Sequence, residues 1–592
     1  MIAIESDARK LPYPKSVAFI VTNEFCERFS YYGMRAILSL YLRDKLGYSD
    51  NGATVVYHTF TMFAYFFPLI GAMIADSWLG RFRTIFYLSL VYSAGSVLIS
   101  LTAMPPLSLP QMEITILALL LIAFGTGGIK PCVSAFGGDQ FKLPEQQRYL
   151  GYFFSLFYFS INAGSLISTF LTPILRADVH CFGDQDCYSL AFGVPGVLMI
   201  VSIAFFVAGK RLYIIKQPAG NILGKSRDKR EHWLDHADDK YDTNLIEDIK
   251  SMLRVLVLFI PLPVFWALFD QQGSRWTFQA DRMEQQIGSW TLKADQMQVL
   301  NPLLILVFIP LFEVAIYPFL TWCKLVRKPL HKMIWGGILA ALAFVISGIV
   351  ELNLPTYGTP VAPGLAQLRV YNGFNCNFTL NLPIHNNTDN LNNTENFIVG
   401  PLGVFEKLDI EAKDFVELPY SLSGQANSAC ANKLYNGNFL FINLINVGNL
   451  KNNILKCKQH NDKSLAKAVT ITPPNSIHIL WLIPQYVIMT MGEVMFSVTG
   501  LEFSFTQAPA SMKSVLQSVW LLTVAFGNLI VVLIVEGNFL DAQWKEFFLF
   551  AGLMLVDMFI FTAMAFRYKY VDIKSSTEQL PVEEIRLPEK QK

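Results

Sequence analysis

Long stretches without a single ionised side chain limit what this chain can fold into more than any other feature. Residues 84–103, 149–175, 188–209, 333–350 and 514–535 contain no Asp, Glu, Lys or Arg, and 52–75 holds only His58. As helices, roughly 18–25 such residues cross a ~30 Å hydrocarbon core, in which a helix satisfies its own backbone. Further apolar stretches, each with a few charges, cover 17–42, 113–138, 251–272, 297–323, 476–500 and 544–567, for a tally of about twelve spans. A soluble core would alternate apolar with polar positions, and these runs do not alternate. Composition agrees, with 53% hydrophobic and only 16% charged residues, against ~25% charged in a soluble domain. The balance of 47 basic to 46 acidic residues excludes a basic nucleic-acid binder and an acidic disordered chain. Eight cysteines in 592 residues are too few for a disulfide scaffold. The first apolar stretch contains Glu24, Glu27 and Arg28, unlike the core of a cleavable signal peptide.

Positive loops predict the topology. Lys210, Arg211, Lys216, Lys225, Arg227, Lys229, Arg230, Lys240 and Lys250 follow the sixth span, Arg81 and Arg83 the second, and Lys324, Arg327, Lys328 and Lys332 the eighth. The loop 104–112 has neither Lys nor Arg. Even-numbered connections are therefore expected in the cytoplasm, with both termini. The segment after the ninth span is then outside. It carries the sequons Asn377-Phe-Thr, Asn386-Asn-Thr and Asn392-Asn-Thr, with Cys376, Cys430 and Cys457. Cys181 and Cys187 also fall outside, where disulfides are plausible and their pairing is not readable. Short β-prone runs (FIVGPLGVF, AVTITP) give the outer segment a β-rich reading. The expected organisation is a six-helix bundle (1–209), a basic cytoplasmic linker (210–250), helices seven to nine (251–352), a small extracellular domain (353–475), helices ten to twelve (476–569) and a cytoplasmic tail (570–592).

Charges at bilayer depth mark a pathway or site unless paired or hydrated. Glu24, Glu27 and Arg28 share one face of the first helix. Two acids and one base cannot satisfy one another; Arg28 can neutralise one carboxylate, and the other must be protonated or find a further cation, for which Lys130 is the natural candidate. Such a carboxyl can titrate near neutrality, and His58 is a second candidate proton carrier. In the second half, Glu502 lies near Glu493, the eighth span carries Asn301 and Glu313, and the seventh runs from Arg254 to Asp270, with Arg275 just beyond. Either arginine can pair with Glu313. Asp557 stands isolated. Pro261, Pro263, Pro302, Pro310 and Pro484 interrupt spans seven, eight and ten.

Six spans, a basic linker and six more suggest the two bundles of a major-facilitator transporter, and Gly71–Arg83 resembles that superfamily's cytoplasmic loop motif. The segments NEFCERFSYYGMRAIL (Asn23–Leu38), GTGGIKPCVSAFGGDQF (Gly125–Phe141), FYFSINAGSL (Phe157–Leu166), FWALFDQQGSRWT (Phe265–Thr277) and GLEFSFTQAPASMKSVLQ (Gly500–Gln517) resemble signatures of the proton-dependent oligopeptide transporters, of the animal di- and tripeptide type. The resemblance implies an all-α membrane protein with that fold and a symporter that moves short peptides and peptide-like drugs with protons, by alternating access, as a monomer and without a cofactor. By the same resemblance, Arg28, Arg35 and Lys130 suit a peptide carboxylate. Glu502 with Asn301, assisted by Asn162, suits the ammonium. Tyr31, Tyr32, Tyr41, Tyr65, Tyr158, Trp266 and Gln272 line the cavity. Outer closure brings Arg35 near Asp270 and His58 near Ser274. The resemblance favours Arg275 over Arg254 as the partner of Glu313.

Two other readings compete. The same fold can carry another solute, such as histidine or nitrate; Lys130, Asn162 and Glu502 together favour a zwitterion. A receptor or scaffold acting through the outer segment would not need the intramembrane charges. No Ser-His-Asp order, metal-ligand spacing or phosphate-cradling loop points to an enzyme or a metal site.

Overall fold

The computed structural model describes residues 12–107, 110–142, 146–184, 186–215, 243–354 except 325 and 327, 477–507, 513–540, 542–568 and 570, with eight strands between 365 and 468. Most of the linker (216–242), the tail from 571 onward, the three sequons and Cys376, Cys430 and Cys457 lie outside the described residues. The chain forms two compact units: the residues up to Asn353 with those from His478, and Leu354–Ile477.

The first unit is helical. Ten of its helices are long and apolar enough to cross a membrane. The other two spans depart from that pattern for physical reasons. The first, Ser16–Asp44, is 29 residues long but buries Glu24, Glu27, Arg28 and Arg35 along its length. The seventh is broken. Thr243–Val257 ends before Pro261 and Pro263, the helix resumes at Pro263–Phe269 and tightens over Asp270–Gly273, and a kink at Ser274 precedes Arg275–Asp281. The second to sixth spans are Asp50–Leu79, Arg81–Thr102, Gln111–Gly138, Gln147–Ala177 and Tyr188–Leu212. The eighth is Ala294–Trp322, the ninth Pro329–Asn353, the tenth Ile479–Gln507, the eleventh Lys513–Glu536 and the twelfth Gln543–Arg567. Spans eight and ten each contain one π-helical turn, Phe312–Ile316 and Val494–Val498. Pro310 lies just before the first of these, where a missing N–H disfavours the ordinary ladder. Pro484 corrects the sequence reading: it opens the helix Ile483–Glu493 instead of interrupting it.

Spans one to six pack together, as do seven to twelve, and the two bundles meet along spans two and eleven and along five and eight. Within the first bundle, spans two and four cross at Gly71 and Gly128. A Cβ on Gly71 would overlap the Gly128 backbone, with the carbonyl carbon at 2.7 Å. Gly71→Val is therefore expected to destabilise the bundle by about 3 kcal/mol, because neither backbone can yield. The check is the fraction that stays monodisperse in detergent after graded heating; an unchanged profile would show that the crossing is looser.

Cys181 and Cys187 are joined by a disulfide with Cα atoms 5.3 Å apart. The loop that it closes holds Lys45, which follows the first span, through Asp184 and Asp186, each at 2.8 Å. Burial acts to lower the Lys45 ammonium pKa, but hydrogen bonds to the two carboxylates outweigh it and the net shift is upward.

The second unit is built from strands. One four-stranded sheet has the order Ala466–Ala468, Leu440–Ile445, Leu365–Tyr371, Val404–Glu411. The other has the order Thr394–Val399, Phe378–Pro383, Pro419–Gly424, Lys458–Gln459. In each sheet the three longer strands are antiparallel and the short edge strand is parallel to its neighbour. The run FIVGPLGVF feeds two of these strands; of AVTITP only Ala468 lies in a strand, and the rest falls outside the described residues.

Candidate functional site

The predicted acid–base cluster forms on the first span. Arg28 Nε lies 2.7 Å from Glu24 Oε1 and 3.0 Å from Glu27 Oε2, all three side chains being buried. The Thr126 hydroxyl donates to Glu27 Oε1 at 2.7 Å. Arg28 thus serves both carboxylates, which corrects the expected pairing of one of them with Lys130. Both contacts are made by Arg28 Nε, whose single hydrogen goes to Glu24, so Arg28 holds Glu27 by charge and not by a hydrogen bond. Lys130 Nζ instead lies 3.7 Å from the Tyr65 ring centre and 4.6 Å from that of Tyr31. Among the described residues it has no hydrogen-bond partner.

Across the bundle boundary the acid is Glu493. Asn301 Nδ2 donates to Glu493 Oε2 at 2.6 Å and to the Thr490 hydroxyl at 3.3 Å. Glu502, which the sequence reading paired with Asn301, is exposed, nine residues on and beyond the π-helical turn. The two glutamates share one motif, and only the helix phase separates them. Tyr32 lies within electrostatic reach of Arg28, Arg35 and Glu493, and Tyr158 of Glu493 and Tyr32. Asn162 donates to the Tyr158 carbonyl at 2.9 Å.

Tyr41 is buried towards the end of the first span beside Tyr188 and Phe192, its hydroxyl 3.5 Å from that of Thr115, and it lines a small cavity there with Lys45 and Gln111. Trp266 is buried against Phe265, Phe269 and Trp520. Gln272 is buried and donates to the Phe269 carbonyl at 3.0 Å.

At the end of the fold that the positive loops assign to the outside, the two bundles are locked together. Arg35 Nη2 meets Asp270 Oδ1 at 2.5 Å. His58 contacts Ser274 through Nε2 at 2.8 Å and Asn528 through Nδ1 at 2.7 Å. Asn528 Nδ2 donates to Asp270 Oδ2 at 2.7 Å. Its Oδ1 is thereby turned to His58, so Nδ1 carries the hydrogen and, in the neutral ring, Nε2 accepts from Ser274. Arg176 grips Asp295 with two bonds of 2.8 and 3.0 Å, and Arg43 meets Asp281 at 2.7 Å. Arg275 does not pair with Glu313. It bonds Glu546 at 2.8 Å and Asn51 at 2.9 Å, while Glu313 is exposed in the π-helical turn of span eight. Arg275 opens the last segment of span seven and Glu313 sits past the middle of span eight, so the two lie at different depths. Arg254 lies on the opposite side of the breaks in span seven from Arg275.

A search for charges misses Asn528 and Thr126, which are neutral. Arg43, Arg176, Asp281, Asp295 and Glu546 sit at span ends, where charges are ordinary. Asp557 is buried, and its Oδ2 has no hydrogen-bond partner among the described residues.

Comparisons with known proteins agree with this architecture. A family model described as the POT family matches residues 82–382 and 454–537. The chain is 45% identical to "Peptide transporter family 1" of Drosophila melanogaster, over 97% of this chain and 90% of that one. It is 41% identical to human "Solute carrier family 15 member 2", over 96% and 92%. The crystal structure of the POT family transporter PepTSo superposes with a TM-score of 0.66 at 25% identity, covering 94% of this chain and 99% of that one. A full-length match at this identity, on a fold of two six-helix bundles, assigns the chain to the proton-dependent oligopeptide (POT) transporter family.

Proposed function

We propose that this protein is a proton-coupled symporter that imports di- and tripeptides by alternating access between its two bundles. The observation that carries this reading is the imbalance of charge across the bundle boundary. Arg28 is shared by two carboxylates and, among the described residues, Lys130 has no anionic partner on one side, while Glu493 is held by a neutral amide on the other. Peptides of any sequence share an ammonium and a carboxylate, ~5–6 Å apart in a dipeptide and ~3.5 Å farther with each added residue. Lys130 and Arg28 suit the carboxylate, Glu493 and Asn301 the ammonium, and Tyr32, Tyr65 and Tyr158 the space between.

With Glu27 charged, Arg28 is held. Protonating Glu27 releases Arg28 to the peptide carboxylate, so proton and peptide each raise the other's affinity by the same factor. The proton is the coupling ion and no prosthetic group is required. Moving one charge inward gains ~2.3 kcal/mol per 100 mV, and one pH unit adds ~1.4 kcal/mol. Together these sustain a peptide gradient of several hundred-fold, roughly, for tight one-to-one coupling. Protonation of His58 makes both ring nitrogens donors, so its bond with the Ser274 hydroxyl reverses direction, and His58 is a second proton site within the outer lock.

In this proposal the termini are cytoplasmic, the membrane is that of the cell surface, and residues 353–475 lie outside with Asn377, Asn386 and Asn392 as glycan acceptors. The test is labelled-dipeptide uptake with simultaneous current recording. Uptake and inward current should rise together as outside pH falls, because outside protons load Glu27. Other dipeptides should compete, and nitrate and free histidine should not; competition by either solute alone would reassign the cargo. Deleting 360–470 should leave proton-driven uptake per surface molecule within about threefold, whereas a receptor acting through that segment would lose its function outright.

A further inference from the structure

We propose that Gly273 is the positioning residue on which outer closure turns: its missing side chain is the seat of the Tyr57 hydroxyl when the two bundles meet. Gly273 belongs to span seven and Tyr57 to span two, so the contact crosses the bundle boundary. A Cβ on Gly273 would overlap the Tyr57 hydroxyl and lie 2.6 Å from Cζ and 3.2 Å from Cε2. Relief of this overlap has to come from the Tyr57 ring or from separation of the two spans. Tyr57 is fully buried, with the Arg35 guanidinium carbon 5.3 Å from its ring centre and the His58 ring 5.2 Å away. Gly273 is flanked in sequence by both polar locks, Asp270 bonding Arg35 and Ser274 bonding His58. The Gly273 backbone is thus drawn onto Tyr57 whenever those bonds form. A methyl group here acts as a wedge that holds apart the surfaces carrying Arg35–Asp270 and His58–Ser274, and side-chain charge has no part in it.

The inference rests on the alternating-access reading. Its test uses the full-length chain in cells, with Gln298→Cys as reporter. Gln298 donates across the boundary to the Ala36 carbonyl at 3.1 Å and, within its own bundle, to the Thr277 hydroxyl at 3.3 Å, and is partly buried there. A membrane-impermeant maleimide added outside is followed over time, and labelling of the chain without the reporter is subtracted. Gly273→Ala is expected to speed reporter labelling about tenfold, a shift equivalent to about 1.4 kcal/mol. It is also expected to lower peptide accumulation. Adding Tyr57→Leu, which removes the hydroxyl together with the Cζ and Cε2 atoms that crowd this Cβ, should return much of the parent's slow labelling and transport. An unchanged labelling rate in Gly273→Ala overturns the proposal. So does a raised rate that Tyr57→Leu leaves untouched, since a general packing defect would not be rescued by trimming one side chain. If Gly273→Ala is retained inside the cell, the double variant decides: its arrival at the surface supports the steric account, and its equal absence refutes it. A parent reporter that responds neither to pH nor to saturating dipeptide would instead refute alternating access, and this inference with it.

Discussion

Glu27→Gln is expected to abolish proton-driven accumulation while leaving exchange of peptide across the membrane largely intact. In the protein as it stands, Glu24, Glu27 and Arg28 form a buried set with one negative charge too many, and Arg28 lies within 3.0 Å of both acids. In the proposed cycle such a set has two states: Arg28 held by a charged Glu27, or Arg28 free beside a protonated one. Glutamine has the shape of the protonated acid and cannot leave it. Arg28 then pairs with Glu24 alone and is available to a peptide carboxylate at every pH. Binding and counterflow exchange should stay within a few-fold. The steady-state ratio of inside to outside peptide should fall from roughly several hundred towards one, and the pH dependence of uptake should flatten. A Glu27→Gln protein that still concentrated peptide with an undiminished proton current would show that the coupling proton is carried elsewhere. His58, bonded to Asn528 and Ser274 in the outer lock, would then be the first group to test.

The second large effect separates two glutamates nine residues apart. Glu493→Gln should weaken peptide affinity about ten- to a hundred-fold, because a hydrogen bond to a charged group contributes about 1.5–3 kcal/mol. Glu502→Gln should change it less than twofold. The basis is local: Glu493 is bonded to Asn301 and lies within electrostatic reach of Tyr158 and Tyr32, whereas Glu502 is exposed. Substrate structure supplies a control. If Glu493 binds the ammonium, an N-acetylated dipeptide has already lost that interaction, so Glu493→Gln should narrow the preference for the free amine towards unity. The opposite ranking, with Glu502→Gln the damaging change, would return the ammonium site to the exposed end of span ten.

The outer lock has an energetic asymmetry. Arg176 and Asp295 are both nearly fully buried and doubly bonded. Such a pair adds little relative to apolar packing, but removing one member strands the other at about 3–5 kcal/mol. A closed gate made of several such pairs is held in register by their geometry more than by their net strength. In the alternating-access proposal, this suits a contact that forms and separates in every cycle.

Some of this arrangement is legible in one dimension. The apolar runs give ten spans outright, since the bilayer requires a minimum length and tolerates few charges. The first span is found for the opposite reason: Glu24, Glu27 and Arg28 are costly at that depth, and their spacing puts them on one helix face whatever packs against it. The pairings Arg35–Asp270 and His58–Ser274 were reached only through resemblance to a family. Where the reading fell short, helix phase was the cause. Each residue turns a helix by about 100°, and a π-helical turn or a proline break resets that phase. Glu493 and Glu502 stand on either side of such a turn, Glu313 lies within another, and Arg275 follows the breaks of span seven.

The sequence alone therefore determined that the chain is a twelve-span membrane protein with ionisable groups sealed inside it, because the costs of exposing backbone and burying charge in lipid depend on local composition. Only the tertiary structure decided which acid meets which base: Arg28 with two glutamates at once, Asn301 with Glu493, Arg275 with Glu546, and His58 with Asp270 through Asn528. Those choices depend on the relative rotation and depth of helices far apart in the chain, and no local pattern of residues encodes them.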